Sequence, residues 1–94
     1  MNIIWTQHAM ERFIERALLY GLSRSDFEIE IKKQEVRINC GTDKKYKKTK
    51  FETICAITNR FFTIEKAEDN KLIIVITLWE SSKKEVDLWF SKQK

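Results

Sequence analysis

The sequence predicts an α+β domain: two N-terminal helices packed on one face of a four- to five-stranded, mainly antiparallel sheet. Three observations predict it. Apolar residues recur with a helical period from Thr6 to Tyr20. From Phe51 onward the chain breaks into short apolar runs separated by polar turns, the pattern of hairpin strands. One of those runs, Leu72 to Trp79, is apolar on both of its alternating faces, as suits a strand covered on two sides. No proline interrupts any of them.

Asn2 to Trp5 is short, apolar and β-branched, and reads as a first strand. The helix follows, with Thr6 as its N-cap. At roughly 100° per residue, Ala9, Met10, Phe13, Ile14, Ala17, Leu18 and Tyr20 fall on one half of the wheel. His8, Glu11, Arg12, Glu15 and Arg16 fall on the other. Gly21 ends the helix, because glycine accepts the left-handed geometry found just past a helix. Ser23-Arg24-Ser25-Asp26 has the Ser-x-x-acid form of a capping signal, with Leu22 and Phe27 placed as a hydrophobic staple. A second helix therefore runs from Ser23 to about Lys33. The segment Phe27 to Ile31 also alternates like a strand, but the cap and the turn favour helix.

Val36, Ile38 and Cys40 alternate with polar residues as in a half-buried strand. Gly41 to Lys50 is expected as a loop. Phe51 to Thr58 and Phe61 to Lys66 are expected strands joined by a tight Asn59-Arg60 turn. Asp69-Asn70 marks the next turn before Leu72 to Trp79. Ser81 to Lys84 turns again, and Val86, Leu88 and Phe90 alternate in an expected last strand. Lys92 to Lys94 should fray. Adjacent strands should pair in sequence order, since the connections are short.

The chain's 94 residues suit one domain, 1–94, with no repeat or linker. Net charge is +4 with a pI near 9.1, a mild lean toward nucleic acid or anionic surfaces. The start is too quickly polar for a signal peptide, and no apolar run approaches the length of a membrane span. Cys40 and Cys55 lack metal-ligand partners at useful spacing and read as free thiols in a reducing compartment. The expectation is a cytoplasmic protein with no membrane contact, no metal and no cofactor.

Two stretches carry candidate chemistry. His8, Arg12 and Arg16 are four residues apart and form one helical ridge. His8 lies in the first turn, where free backbone N–H groups favour anions, so the ridge suits phosphate. Lys44, Lys45, Lys47, Lys48 and Lys50 surround Tyr46, a run that suits a phosphate backbone with a ring for a base to stack on. The plainer readings are a solvated helix face with Glu–Arg pairs and a solvated loop.

The pattern His8-Ala9-x-x-Arg12-x-x-x-Arg16, then the Gly21-Leu22-Ser23 turn and a second helix, resembles a family of small prokaryotic and phage proteins. These carry an H-A-x-x-R-x-x-x-R motif and are related to BrnT and the RelE-like toxins. Ile73 to Trp79 is similar to that family's closing V-I-T-x-[WY] strand. The likeness covers Thr6 to about Lys33 and Phe62 to Trp79. It implies a barnase/RelE-type fold and a metal-independent endoribonuclease, often a toxin paired with an antitoxin. Matching residue by residue, it implies catalytic roles for His8, Arg12, Arg16 and Thr77. Trp79 stands where the family often has tyrosine, which keeps a stacking surface and loses a hydroxyl.

Metal-free RNA cleavage needs a base for the 2′-hydroxyl, an acid for the leaving oxygen and positive charge around phosphorus. Histidine can give or take the proton. Arg12 and Arg16 can hold phosphate through forked hydrogen bonds. Lys44, Lys45, Lys47 and Lys48 add charge, and Tyr46 or Trp79 can stack a base. Against each stands a structural role: His8 capping its helix, the arginines pairing with Glu11 or Glu15, Trp79 and Trp89 in the core, Thr77 as an ordinary strand threonine. Two functions therefore stand side by side. One is a RelE/BrnT-like endoribonuclease. The other is a non-catalytic module of the same fold that binds nucleic acid or a host protein, as a phage or mobile-element accessory protein would.

Overall fold

The computed structural model describes residues 2–33 and 36–92. The elements are β1 (Asn2–Trp5), α1 (Gln7–Arg16), a 3-10 turn (Leu18–Tyr20), α2 (Arg24–Lys33), β2 (Arg37–Asp43), β3 (Lys48–Ile57), β4 (Arg60–Glu68), β5 (Leu72–Glu80) and α3 (Lys83–Lys92). They form an α+β arrangement around one five-stranded mixed sheet, ordered β1-β5-β4-β3-β2.

β2 to β5 pair antiparallel in sequence order, as expected. β1 departs from it. It lies parallel to β5, with Asn2 opposite Leu72 and Trp5 opposite Val75. The apolar β5 would otherwise be an edge strand with unpaired backbone groups, and β1 covers that edge. Leu72–Glu80 is thus an interior strand, although β4 holds the centre.

α1 and α2 pack on one face. Their buried residues Ala9, Phe13, Phe27 and Ile31 join Cys55, Ile57, Phe62, Ile64, Ile73, Val75 and Leu78 of the sheet in one core. Trp5, Phe13, Phe27 and Phe62 meet edge to face at centroid distances of 5.0 to 6.1 Å, the geometry aromatic rings prefer. This quartet fixes both helices to β1 and β4. The Ser23 cap forms as expected: Asp26 N–H donates to Ser23 Oγ at 3.2 Å, and Ser23 N–H donates to Asp26 Oδ2 at 2.7 Å. Leu22 and Phe27 are both buried.

The first helix is shorter than its wheel. The α-helix stops at Arg16, the chain tightens into the 3-10 turn, and Gly21 ends that turn at φ 77°. The buried stripe is also narrower. Ala9, Phe13 and Ala17 are enclosed, whereas Ile14 and Leu18 stay about half exposed at 53% and 52%. A ten-residue helix lying on a sheet buries one seam and leaves its flanks to water.

Three further expectations are corrected. Gly41 to Lys50 is not one loop: β2 runs on to Asp43 and β3 starts at Lys48, leaving a four-residue turn at 44–47. The strand reaches past Gly41 because a bulge between Asn39 and Thr42 absorbs that residue, at φ 90°. The β3–β4 turn is Thr58-Asn59, both at positive φ, flanked by the pair Ile57 and Arg60. Val86, Leu88 and Phe90 are helical, not a strand. Ser82 and Glu85 form a reciprocal cap, with Glu85 N–H donating to Ser82 Oγ at 3.2 Å and Ser82 N–H to Glu85 Oε1 at 2.8 Å. α3 lies on the sheet face opposite α1 and α2, since it packs on Phe61 while Phe62, its neighbour in the strand, faces α2. Lys92 is the last residue of α3, and Gln93 and Lys94 of the expected frayed end lie outside the described residues.

Candidate nucleic-acid interface

The site is built from Thr6. Its hydroxyl accepts from Ala9 N–H at 3.0 Å, capping α1, and donates to the Ile76 carbonyl at 3.1 Å. That carbonyl is free because β5 bulges there: Thr77 is opposite Glu65, Val75 is opposite Lys66, and Ile76 has no partner between them. Thr6 N–H adds a bond to Val75 O at 3.1 Å. The sheet irregularity therefore anchors the first turn of α1, and with it the exposed His8.

A cleft of about 390 Å³ opens beside this turn. Thr6, Gln7, His8 and Ile76 line one part, and Asp43, Lys45 and Tyr46 of the β2–β3 turn line the rest. The turn is held by the side chain and the backbone of Asp43. Asp43 Oδ1 accepts from Tyr46 N–H at 2.9 Å, and Asp43 O accepts from Lys47 N–H at 2.8 Å. Lys47 takes the left-handed conformation, φ 56°, that lets the chain return into β3. The Lys45 ammonium stands 5.4 Å from the Tyr46 ring centroid, over one face of the ring.

Of the residues singled out in the sequence, the fold thus brings His8, Lys45 and Tyr46 into one cleft although 37 positions separate His8 from Lys45. Lys44 is exposed in the same turn. Lys47 and Lys48 line a second cleft of about 400 Å³ with Thr42, Thr49, Glu68, Asp69 and Asn70. Lys48 is committed there to Asp69. That hydrogen bond, with those from the N–H groups of Lys71 and Leu72, holds the Asp69 carboxyl down at about 2.

The remaining candidates stand apart from the cleft that His8 lines. Arg12 is bonded to Glu15 at 2.6 Å, and Arg16 is exposed on the next turn of the ridge. Thr77 is on β5 directly opposite Glu65. Trp79 donates its indole N–H to both Glu85 oxygens, at 3.1 and 3.3 Å, so it is tied to α3.

Sequence reasoning missed Asp43, Gln7 and Ile76 as lining residues. The aspartate carries a readable signal. Asp43-Lys44-Lys45-Tyr46-Lys47 is an Asx-type turn, masked by the lysine-rich composition around it. Ile76 has no such signal, because a bulge is set by pairing across strands.

Cys40 is exposed and Cys55 buried, both as free thiols. Among the described residues no three His, Cys, Asp or Glu side chains are grouped as a metal ion would need. Among the same residues no helix is long and apolar enough to cross a membrane. Comparisons with family profiles, curated proteins and solved structures gave no match to the chain.

Proposed function

We propose that this protein is a metal-independent endoribonuclease of the RelE/BrnT-like toxin type, with a barnase/RelE-type fold, acting at the cleft beside the first turn of α1. One observation carries the reading: the cleft joins the chain's one histidine to a lysine and an aromatic ring supplied from a distant turn. His8 takes the proton of the ribose 2′-hydroxyl. The 2′-oxygen attacks phosphorus and the P–O5′ bond breaks, leaving a cyclic phosphate and a 5′-hydroxyl whose proton comes from water. Lys45 and the free N–H groups of α1 stabilise the charge that gathers on the phosphoryl oxygens. Tyr46 stacks a base. Arg12 and Arg16 draw the flanking backbone along the helix ridge, Lys44, Lys47 and Lys48 do so along the turn, and an antitoxin would cover the same surface.

A second reading is favoured by a separate observation. Arg12 is already held by Glu15, and Thr77 and Trp79 lie outside the cleft. A non-catalytic module that binds RNA through the same cleft needs none of them. Incubating the protein with mixed RNA in EDTA from pH 5 to 9, beside His8→Ala, separates the two. The enzyme cuts RNA, and His8→Ala loses about a hundredfold or more in rate. Its melting curve stays put, because an exposed substitution changes stability by no more than about 0.5 kcal/mol. Wild-type protein that binds RNA and leaves it intact across that range establishes the module instead.

A further inference from the structure

We infer that the Tyr46 hydroxyl hands the leaving 5′-oxygen its proton, standing between that oxygen and water. The inference rests on the ribonuclease reading above and adds a second proton-transfer residue to it. Loss of the 5′-oxygen is the demanding half of that reaction. The departing alkoxide is about as basic as hydroxide, and water, which ionises at about 15.7, is a poor acid to meet it with. A phenol ionises at about 10, so it gives its proton far more readily and yet keeps it through the neutral range.

The lining of the cleft leaves one group for the task. Two of its residues carry hydroxyls, Thr6 and Tyr46. The Thr6 hydroxyl is engaged on both sides: it donates to the Ile76 carbonyl at 3.1 Å and accepts from Ala9 N–H at 3.0 Å. Gln7 has an amide, which is no proton donor in this sense, and its Nε2 is turned to Glu11 at 3.3 Å. Asp43 accepts from Tyr46 N–H at 2.9 Å, and an ionised carboxylate has no proton to give. His8 is occupied with the 2′-hydroxyl, and Lys45 with the phosphoryl charge. The Tyr46 hydroxyl differs from all of these. Among the described residues it has no hydrogen-bond partner, whereas the hydroxyl of Tyr20 donates to Glu80 at 3.2 Å. Tyr46 is half-buried, and the bond from its N–H to Asp43 fixes the turn that carries it. Lys45 lies over a face of the ring and so leaves the hydroxyl edge clear.

The protons and electrons balance with water alone. His8 takes the 2′-proton, the 2′-oxygen bonds phosphorus, and the P–O5′ electron pair leaves with O5′. The phenol O–H gives that oxygen its proton as the bond breaks. The phenolate then recovers a proton from water, and the imidazolium returns one to the hydroxide so formed, which resets both groups.

The test uses an oligonucleotide built around a bond that the enzyme cuts in mixed RNA, with either oxygen or sulfur as the 5′ bridging atom of that bond. A thiol ionises at about 8.5, so a thiolate leaves without being given a proton. Tyr46→Phe keeps the ring for stacking and removes the hydroxyl alone. It should cut the oxygen substrate about a hundredfold or more slower than wild type, the usual contribution of a general acid, and the sulfur substrate at nearly the wild-type rate. His8→Ala should be slow on both, because the attacking 2′-hydroxyl is the same in each. Tyr46→Phe that cuts the oxygen substrate as fast as wild type overturns the inference and leaves the ribonuclease reading standing. So does an equal loss on both substrates, which would make the hydroxyl a binding group. If no bond in mixed RNA is cut, the ribonuclease reading falls and the inference with it.

Discussion

Lys66 is fully enclosed, and burial pulls its pKa below the ordinary 10.5 even though Glu68 acts in the opposite direction. The ammonium lies 2.9 Å from Glu68 Oε1 without a well-aligned hydrogen bond, and Arg37 reaches the same oxygen at 3.2 Å. One carboxylate thus holds two cations under the helix layer. Removing a single partner from such a group leaves an uncompensated buried charge and costs about 3–5 kcal/mol. Glu68→Gln should therefore lower stability by about that amount, and Lys66→Met by much less, because Glu68 keeps Arg37. The pH dependence carries a sign. With the folded pKa of Lys66 depressed, the unfolded chain binds the extra proton, so stability rises with pH up to the ordinary lysine value. Urea melts of Glu68→Gln at pH 7 and pH 10 should show the defect shrinking at the higher pH. A defect of the same size at both would place the cost elsewhere. The sequence alone did not reveal this cluster. Lys66 and Glu68 look like two solvent charges on one side of a strand, and only the paired neighbours decide which face is covered. His8 was legible for the opposite reason: a helix wheel places an exposed residue without reference to any other element.

At the scale of elements, what was legible is what is encoded locally. The Thr6 and Ser23 caps, the Gly21 stop and the two-faced run of β5 are all readable from adjacent residues, and each appears in the structure. The last element differs from expectation because Val86, Leu88 and Phe90 fit a strand, while Val86, Trp89 and Phe90 fit a helix equally well. Over so short a segment the period does not decide, and the Ser82–Glu85 cap does. α3 buries no residue fully and is held by Trp89 and Phe90 on Phe61 and by the Glu85 latch on Trp79. Burial pushes the Glu85 carboxyl up, but hydrogen bonds from Ser82, Trp79 and Thr63 outweigh it and leave it below the usual 4.5. The latch is therefore fully present above that value and lost as pH falls through the folded pKa. Glu52, beside Glu65 and Glu85, shifts upward instead, chiefly by burial, so the local helix is the informative readout. Hydrogen exchange of residues 83–92 should accelerate between pH 7 and pH 3 beyond the intrinsic pH effect. Glu85→Ala should show the fast exchange already at pH 7 and lose about 1 kcal/mol of stability. Unchanged protection in Glu85→Ala would mean that the aromatic contacts alone hold the helix.

For the molecule as a whole, charge and topology matter together. Lys45 of the β2–β3 turn lines the His8 cleft, Lys44 is exposed in the same turn and Lys47 lines the neighbouring cleft, so on the RNA reading affinity should fall steeply with salt. Replacing Lys44, Lys45 and Lys47 with serine should weaken binding and flatten the plot of log affinity against log salt by about 0.7 for each phosphate no longer neutralised. Lys48 is left in place because it holds Asp69. An unchanged slope would assign those lysines to bulk solvent. The parallel pairing of β1 with β5 carries a different consequence. Asn2 to Trp5 has no strand to join until Leu72 to Val75 exists. The first turn of α1 is anchored on that same strand, at Val75 and Ile76. During synthesis the histidine emerges well before the strand that seats it. A nascent chain that has not yet reached Val75 and Ile76, or one cut off ahead of them, therefore carries His8 without the strand that seats it and without its cleft.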